Sequence, residues 1–165
     1  MTAGFRALWA QFAIVMLLLA GCASPPRAIN PFGQPVTQWS GRLALRVDSD
    51  QVQSFSAGFQ LRGNAQAGEL SLYSPLGATI AQLAWAPGDA RLRWDGKERM
   101  FDSMDALTRQ ATGTELPVAS IFQWLAGENA SAAGWQADLR ELSNGRLVAR
   151  RSAPLPTVEM RLVLE

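Results

Sequence analysis

With 165 residues, 48% hydrophobic and 18% charged, the chain has room for one domain with a real core. Its 15 basic and 14 acidic side chains leave no positive excess of the kind that marks a nucleic-acid binder. It has no histidine, which excludes a histidine base, a histidine-based triad and the usual zinc ligand sets.

Arg6 is the only early charge, and the apolar run from Ala7 to Ala20 is broken only by Gln11. That is a secretory signal peptide, too short for a comfortable transmembrane span. It ends in Leu19-Ala20-Gly21-Cys22, which resembles the bacterial lipobox, where small residues let the peptidase cut just before an acylated cysteine. Residues 1–21 are then a cleaved leader, and the mature chain starts at a lipidated Cys22. Loss of Arg6 takes the basic count from 15 to 14, equal to the 14 acids. Cys22 is the only cysteine and is committed to lipid, so no disulfide and no thiol nucleophile is available. Ala23 and Ser24 follow it. Lipoproteins kept at the inner membrane typically carry Asp there, so the expected destination is the periplasmic face of a Gram-negative outer membrane. Several acyl chains, each methylene contributing about 0.8 kcal/mol, make such an anchor effectively permanent.

Residues 22–38 form a Pro-rich tether, with Pro25, Pro26, Pro31 and Pro35 and no hydrophobic period. The folded domain is residues 39–165. Leu43, Leu45 and Val47 alternate with Arg42, Ala44 and Arg46, a half-buried strand. After a turn at Asp48 to Asp50, Phe55, Ala57, Phe59 and Leu61 lie on one face of a second strand. A polar loop from Gly63 to Gly68 leads to a strand carrying Leu70 and Leu72. Pro75 and Gly77 then make a tight turn around Leu76, an apolar residue where turns are usually polar. By itself that leucine is either one of many single apolar surface residues or a functional tip. The next strand, Thr79 to Trp85, sets Ala81, Leu83 and Trp85 against Ile80, Gln82 and Ala84. Pro87-Gly88-Asp89 turns the chain, and Asp95-Gly96 joins Ala90–Trp94 to Lys97–Phe101 as a hairpin.

Helical spacing follows. Met104, Leu107 and Ala111 fit a helix capped at Asp102 or Ser103 and ended by Gly113. A second helix starts at Pro117 and carries Val118, Ile121, Phe122 and Leu125 on one stripe, stopping at Gly127. Trp135 to Leu142 and Arg146 to Arg151 read as strands around a second hairpin signal, Asn144-Gly145. The last strand, Thr157 to Glu165, alternates Val158, Met160, Leu162 and Leu164 with polar neighbours and Val163.

The fold class is mainly antiparallel β. A sheet of about 8–11 strands with one apolar face must curl. Two short helices cover only part of that face, so the simplest arrangement is an unclosed barrel with a helical lid. Such a body holds either a packed core or an apolar cavity. Asp89, Asp95, Asp102 and Asp105 sit in turns or helix starts, where carboxylates commonly cap, so nothing points to an enzyme. No cofactor and no metal is expected.

Four features occur in order over most of the mature chain: Cys22 at the lipobox, Trp39-Ser40-Gly41-Arg42-Leu43-Ala44, Ser74-Pro75-Leu76-Gly77-Ala78, and the Pro117-led helix with its Trp124-Leu125 pair before Gly127. Together they resemble the LolB family of outer-membrane lipoprotein receptors. The resemblance implies an unclosed antiparallel barrel with a helical lid, whose apolar cavity accepts the acyl chains of lipoprotein cargo from a LolA-like periplasmic carrier. It implies that Leu76, between Pro75 and Gly77, protrudes and helps place cargo among the lipids of the outer membrane. Leu43, Leu45, Phe55, Phe59, Leu61, Leu70, Leu72, Leu83 and Trp85 would line the cavity. Leu107, Ile121, Phe122 and Leu125 would face it from the lid. The expected state is a monomer. The region after Gly127 is shorter than in the better-known members and the chain ends at Glu165, so a strand or hairpin at the rim is expected to be missing. The rival reading is a structural or assembly lipoprotein with a dry core that works through protein contacts.

Overall fold

The computed structural model describes residues 37–165. The expected signal peptide, Cys22 and most of the expected tether lie outside the described residues. The first strand begins at Thr37, two positions before the expected start of the domain.

Among the described residues, nine strands make one antiparallel sheet: β1 (Thr37–Asp48), β2 (Gln53–Gly63), β3 (Gly68–Tyr73), β4 (Thr79–Ala86), β5 (Asp89–Trp94), β6 (Lys97–Phe101), β7 (Trp135–Asp138), β8 (Arg146–Arg151) and β9 (Thr157–Leu164). Their spatial order is β6-β5-β4-β3-β2-β1-β9-β8-β7. Only the β1–β9 pairing joins strands distant in sequence, with Leu43 opposite Leu162 and Leu45 opposite Met160. β6 and β7 pair on one side only, so the sheet curls without closing. Alternation sends Leu43, Leu45, Val47, Phe59, Leu61, Leu83, Trp85, Met160 and Leu162 to the inner face, all buried.

The outer face carries charged pairs. Glu159 of β9 accepts hydrogen bonds from Arg150 at 2.6 Å and Arg161 at 2.6 Å, which hold its carboxyl below the usual carboxylate range. Arg93 and Glu98 pair in the same way across β5 and β6. Asp95 and Gly96 both have positive φ, the backbone that a two-residue turn between right-twisted strands requires.

Two helices follow β6. In α1 (Met104–Thr112), the Ser103 hydroxyl accepts from the Ala106 amide at 3.2 Å and settles the cap at Ser103. This helix lies against β5 and β6. α2 (Val118–Leu125) starts one residue later than expected, with Pro117 at its cap position. The Phe122 ring packs edge-on against Trp39 at 5.6 Å and Trp85 at 6.1 Å, bridging the helix to β1 and β4. On the other side of α2, fully buried Trp124 packs on Trp135 and donates its indole N–H to the Ala130 carbonyl at 2.9 Å.

The expected strand from Trp135 to Leu142 stops at Asp138. There the carboxylate turns back to the Arg140 amide and guanidinium, which hold it down to about pKa 2, and the chain leaves the sheet. Asn144-Gly145 is consequently not a hairpin turn. It ends a 3-10 turn (Leu142–Asn144), with left-handed Gly145 closing onto the Leu142 carbonyl.

Trp124→Ala removes the fixing point of α2 and should cost about 3–5 kcal/mol. Thermal unfolding would read this as a clear drop in midpoint, and an unchanged midpoint would show that α2 is held by other contacts.

Candidate functional site

Between the inner face and the two helices lies a cavity of about 790 Å³. This is within the ~300–1,000 Å³ range of ligand pockets. All nine strand residues expected to line a cavity are in its wall: Leu43, Leu45, Phe55, Phe59, Leu61, Leu70, Leu72, Leu83 and Trp85. From the lid, Ile121 and Phe122 line it, together with Met104, Leu116 and Val118. Leu107 and Leu125 do not. Both are buried in the core, Leu107 completely, so they fasten the helices and leave the wall to their neighbours.

The wall has a closed end and an open one. At the closed end Phe122 sits between Trp39 and Trp85, and the Trp85 indole N–H is satisfied by the Asn64 carbonyl at 3.1 Å. At the open end Phe55 and Ile80 are wall residues yet 39% and 38% exposed. Gln53, Ser54 and the last turn of α1 complete this mouth, with Gly113 beside Gln53. Phe55 therefore stands on the sill of the cavity rather than inside it.

Ile80 was expected on the outer face. The β3–β4 register runs from Leu72 opposite Ala81 to Tyr73 opposite Thr79, so Ile80 is the unpaired residue of a β-bulge. A bulge re-aims one side chain, and here it brings Ile80 to the mouth. Met160 and Leu162 of β9, and Leu92 and Trp94 of β5, also belong to the wall. Their alternation is readable in the sequence, but the β1–β9 pairing that brings Met160 and Leu162 to the wall is not.

No wall residue is ionisable. The two threonine hydroxyls of the wall are occupied within the lid: Thr108 accepts from the Leu116 amide at 3.2 Å, and Thr112 donates to the Thr108 carbonyl at 2.8 Å. The surface offered to a ligand is thus mainly apolar, with Gln53, Ser54 and Gln110 as its polar side chains besides these threonines. Among the described residues no group of three or more His, Cys, Asp or Glu is placed to hold a metal.

Beside the mouth, the turn between β3 and β4 holds Leu76 at 97% exposure. Three hydrogen bonds converge on Ser74: its carbonyl accepts from Gly77 at 2.9 Å, its hydroxyl accepts from the Ala78 amide at 3.2 Å, and its amide donates to the Ala78 carbonyl at 2.8 Å. Gly77 has φ +83°, where only glycine is unstrained. The display of Leu76 is therefore built into the turn. Ser74 is the bracing residue that sequence reasoning missed, although Ser before Pro at a turn is a readable signal.

An uncharged acyl probe, such as a fluorescent fatty-acyl ester, should bind with the same affinity between roughly pH 5 and 9, where a wall without ionisable groups cannot change charge. A titration at several pH values checks this, and a steep pH dependence would place the probe elsewhere.

The family profile described as Outer membrane lipoprotein LolB matches residues 37–153. An outer-membrane lipoprotein LolB of Bordetella petrii is 32% identical over 172 residues, covering 89% of this chain and 86% of that protein. The Chromobacterium violaceum protein of the same name is 34% identical, covering 67% of this chain and 63% of its own length. That of Bordetella bronchiseptica is 37% identical, covering 69% and 59%. In these last two the match spans less than two thirds of the relative. An unclosed nine-stranded sheet with a helical lid, an apolar cavity and these matches lead to one conclusion: the chain belongs to the LolB family of outer-membrane lipoproteins.

Proposed function

We propose that this chain is an outer-membrane receptor that takes acylated lipoproteins from a LolA-like periplasmic carrier, holds their acyl chains in its cavity and passes them to the membrane. The observation that carries this reading is the wall itself, mainly apolar, without an ionisable group, and open at the end where Leu76 projects. Keeping a long acyl chain in water costs on the order of 10 kcal/mol at about 0.8 kcal/mol per methylene, so cargo must move from one apolar site to another. A cavity somewhat better than the carrier's draws it in, and a bilayer better still draws it out. No energy source is required.

In this reading lipidated Cys22 anchors the domain to the outer membrane, the Pro-rich tether sets its reach, and the domain works as a monomer. Leu76 enters the bilayer beside the mouth. An assembly lipoprotein working through protein contacts would need no such cavity, and that alternative is not favoured.

A soluble version starting after Cys22, mixed with a cargo-loaded carrier, should take over the cargo without ATP, as read by co-purification. No movement from a competent carrier would overturn the receptor reading. In the anchored full chain, Leu76→Glu should leave uptake intact and lower delivery to vesicles by tenfold or more, since it replaces the burial of a leucine by that of a charge. Normal delivery by this variant would remove the role assigned to the turn.

A further inference from the structure

The sheet end that carries the mouth bears a second displayed leucine. β9 starts at Thr157 opposite Asp48, the last residue of β1, so the β8–β9 turn leaves the same end as the β1–β2 turn. The Leu76 turn also leaves that end, because β3 finishes at Tyr73 opposite Gly58, partway up β2 from its start at Gln53. In strand order the two turns flank the β1–β2 hairpin, one on each side. At the tip of the β8–β9 turn, Leu155 stands between Pro154 and Pro156 and is 80% exposed.

This turn is braced from below. Arg151 is 7% exposed, stacks over the Trp135 ring at 5.9 Å and donates to the Pro156 carbonyl at 3.1 Å. The Ala153 carbonyl lies so close to Gly134 that a Cβ there would be 1.6 Å from it. Burial lowers the guanidinium pKa, yet Arg151 stays inside with its Nε unpartnered among the described residues. An arginine held this way fixes the base of a loop whose tip is a bare leucine.

We propose that Leu155 is a second membrane-contacting residue, so that the domain meets the phospholipid bilayer through two leucine-tipped turns, one on each side of the mouth. The proposal rests on the reading of the Leu76 turn as a membrane element. Both tips lack charge: Ser74–Ala78 on one side and Ser152–Pro156, numbers 152–156, on the other. They can enter the headgroup region without stripping water from an ion. Because both are already ordered, insertion carries little conformational cost. Two separate tips around an open mouth suit a bilayer surface better than a protein, which would meet a continuous apolar patch with a polar rim.

The test uses the full lipidated chain in vesicles of phosphatidylethanolamine and phosphatidylglycerol. Leu155→Cys, Leu76→Cys and Val163→Cys are each labelled with an environment-sensitive fluorophore, and the unsubstituted chain serves as the labelling blank. Val163 is 45% exposed and lies toward the opposite end of the sheet. A nitroxide phospholipid should quench the label at 155 to within about twofold of the label at 76, as for side chains inserted to headgroup depth. The label at 163 should respond only to aqueous iodide. Quenching by lipid at 76 but by iodide alone at 155 would overturn the second contact and leave the Leu76 reading standing. Iodide quenching alone at both positions would overturn both, and lipid quenching at 155 alone would support Leu155 while removing Leu76.

Discussion

Everything in this domain follows from one constraint, a long antiparallel sheet with a single apolar face and no closing strand pair. β6 and β7 remain edges, so the sheet curls around its greasy side without sealing it. Helices of 9 and 8 residues are too short to cover what nine strands present. They cover it unequally: Phe122 plugs one end against two tryptophans, while the end with Phe55 and Ile80 stays open. A sealed, empty void of about 790 Å³ would cost on the order of 20 kcal/mol at about 24 cal/mol per Å³. That exceeds the total stability of a typical domain, about 5–15 kcal/mol. A cavity of this size therefore has to remain open to an apolar occupant.

The same economy of structure shapes the turns at the open end. An exposed leucine on a floppy loop would have to be ordered on meeting a membrane, at about 1–2 kcal/mol of backbone entropy per residue. Ser74 orders the Leu76 turn by gathering three hydrogen bonds, which would remove that cost in the proposed membrane role, and Gly77 accepts the left-handed angle that lets the strand leave. Arg151 does the corresponding work beneath Leu155 from a buried position. In both cases the polar chemistry lies under the tip, and the tip itself is hydrocarbon.

Local patterning made much of this legible. Period-two alternation gave the strands of the meander, the Asp95-Gly96 turn has the positive φ angles its sequence demands, and the nine strand residues expected beside a cavity all border the one described. What escaped was set by distance or by irregularity. Met160 and Leu162 join the wall through the β1–β9 pairing, which spans most of the domain. Ile80 reaches the mouth because a bulge shifts the register at Tyr73, and a strict period of two sends it outward. Leu107 and Leu125 lie on apolar stripes, but a helix stripe is wider than the strip that faces a cavity, and these two fill the core beside it. The strand at Trp135 ended early because Asp138 found Arg140, a local hydrogen bond that competes with the ladder.

The composition of the wall also bears on how cargo is chosen and released. Hydrophobic burial is non-directional and scales with area, so in the proposed role a mainly apolar wall without ionisable groups would distinguish acyl chain from water but not one lipoprotein from another. Selection among cargoes would then rest with whatever loads the carrier, and the receptor can be general. Release is governed by the route out. Phe55 and Ile80 extend the apolar surface from the wall to the sill, and the Leu76 turn ends immediately before β4, the strand that carries Ile80. In the proposed role, an acyl chain sliding outward along this path would keep hydrocarbon under it until the bilayer takes over. At about 0.8 kcal/mol per methylene, each carbon that avoided water along the way would lower the barrier to transfer by that amount.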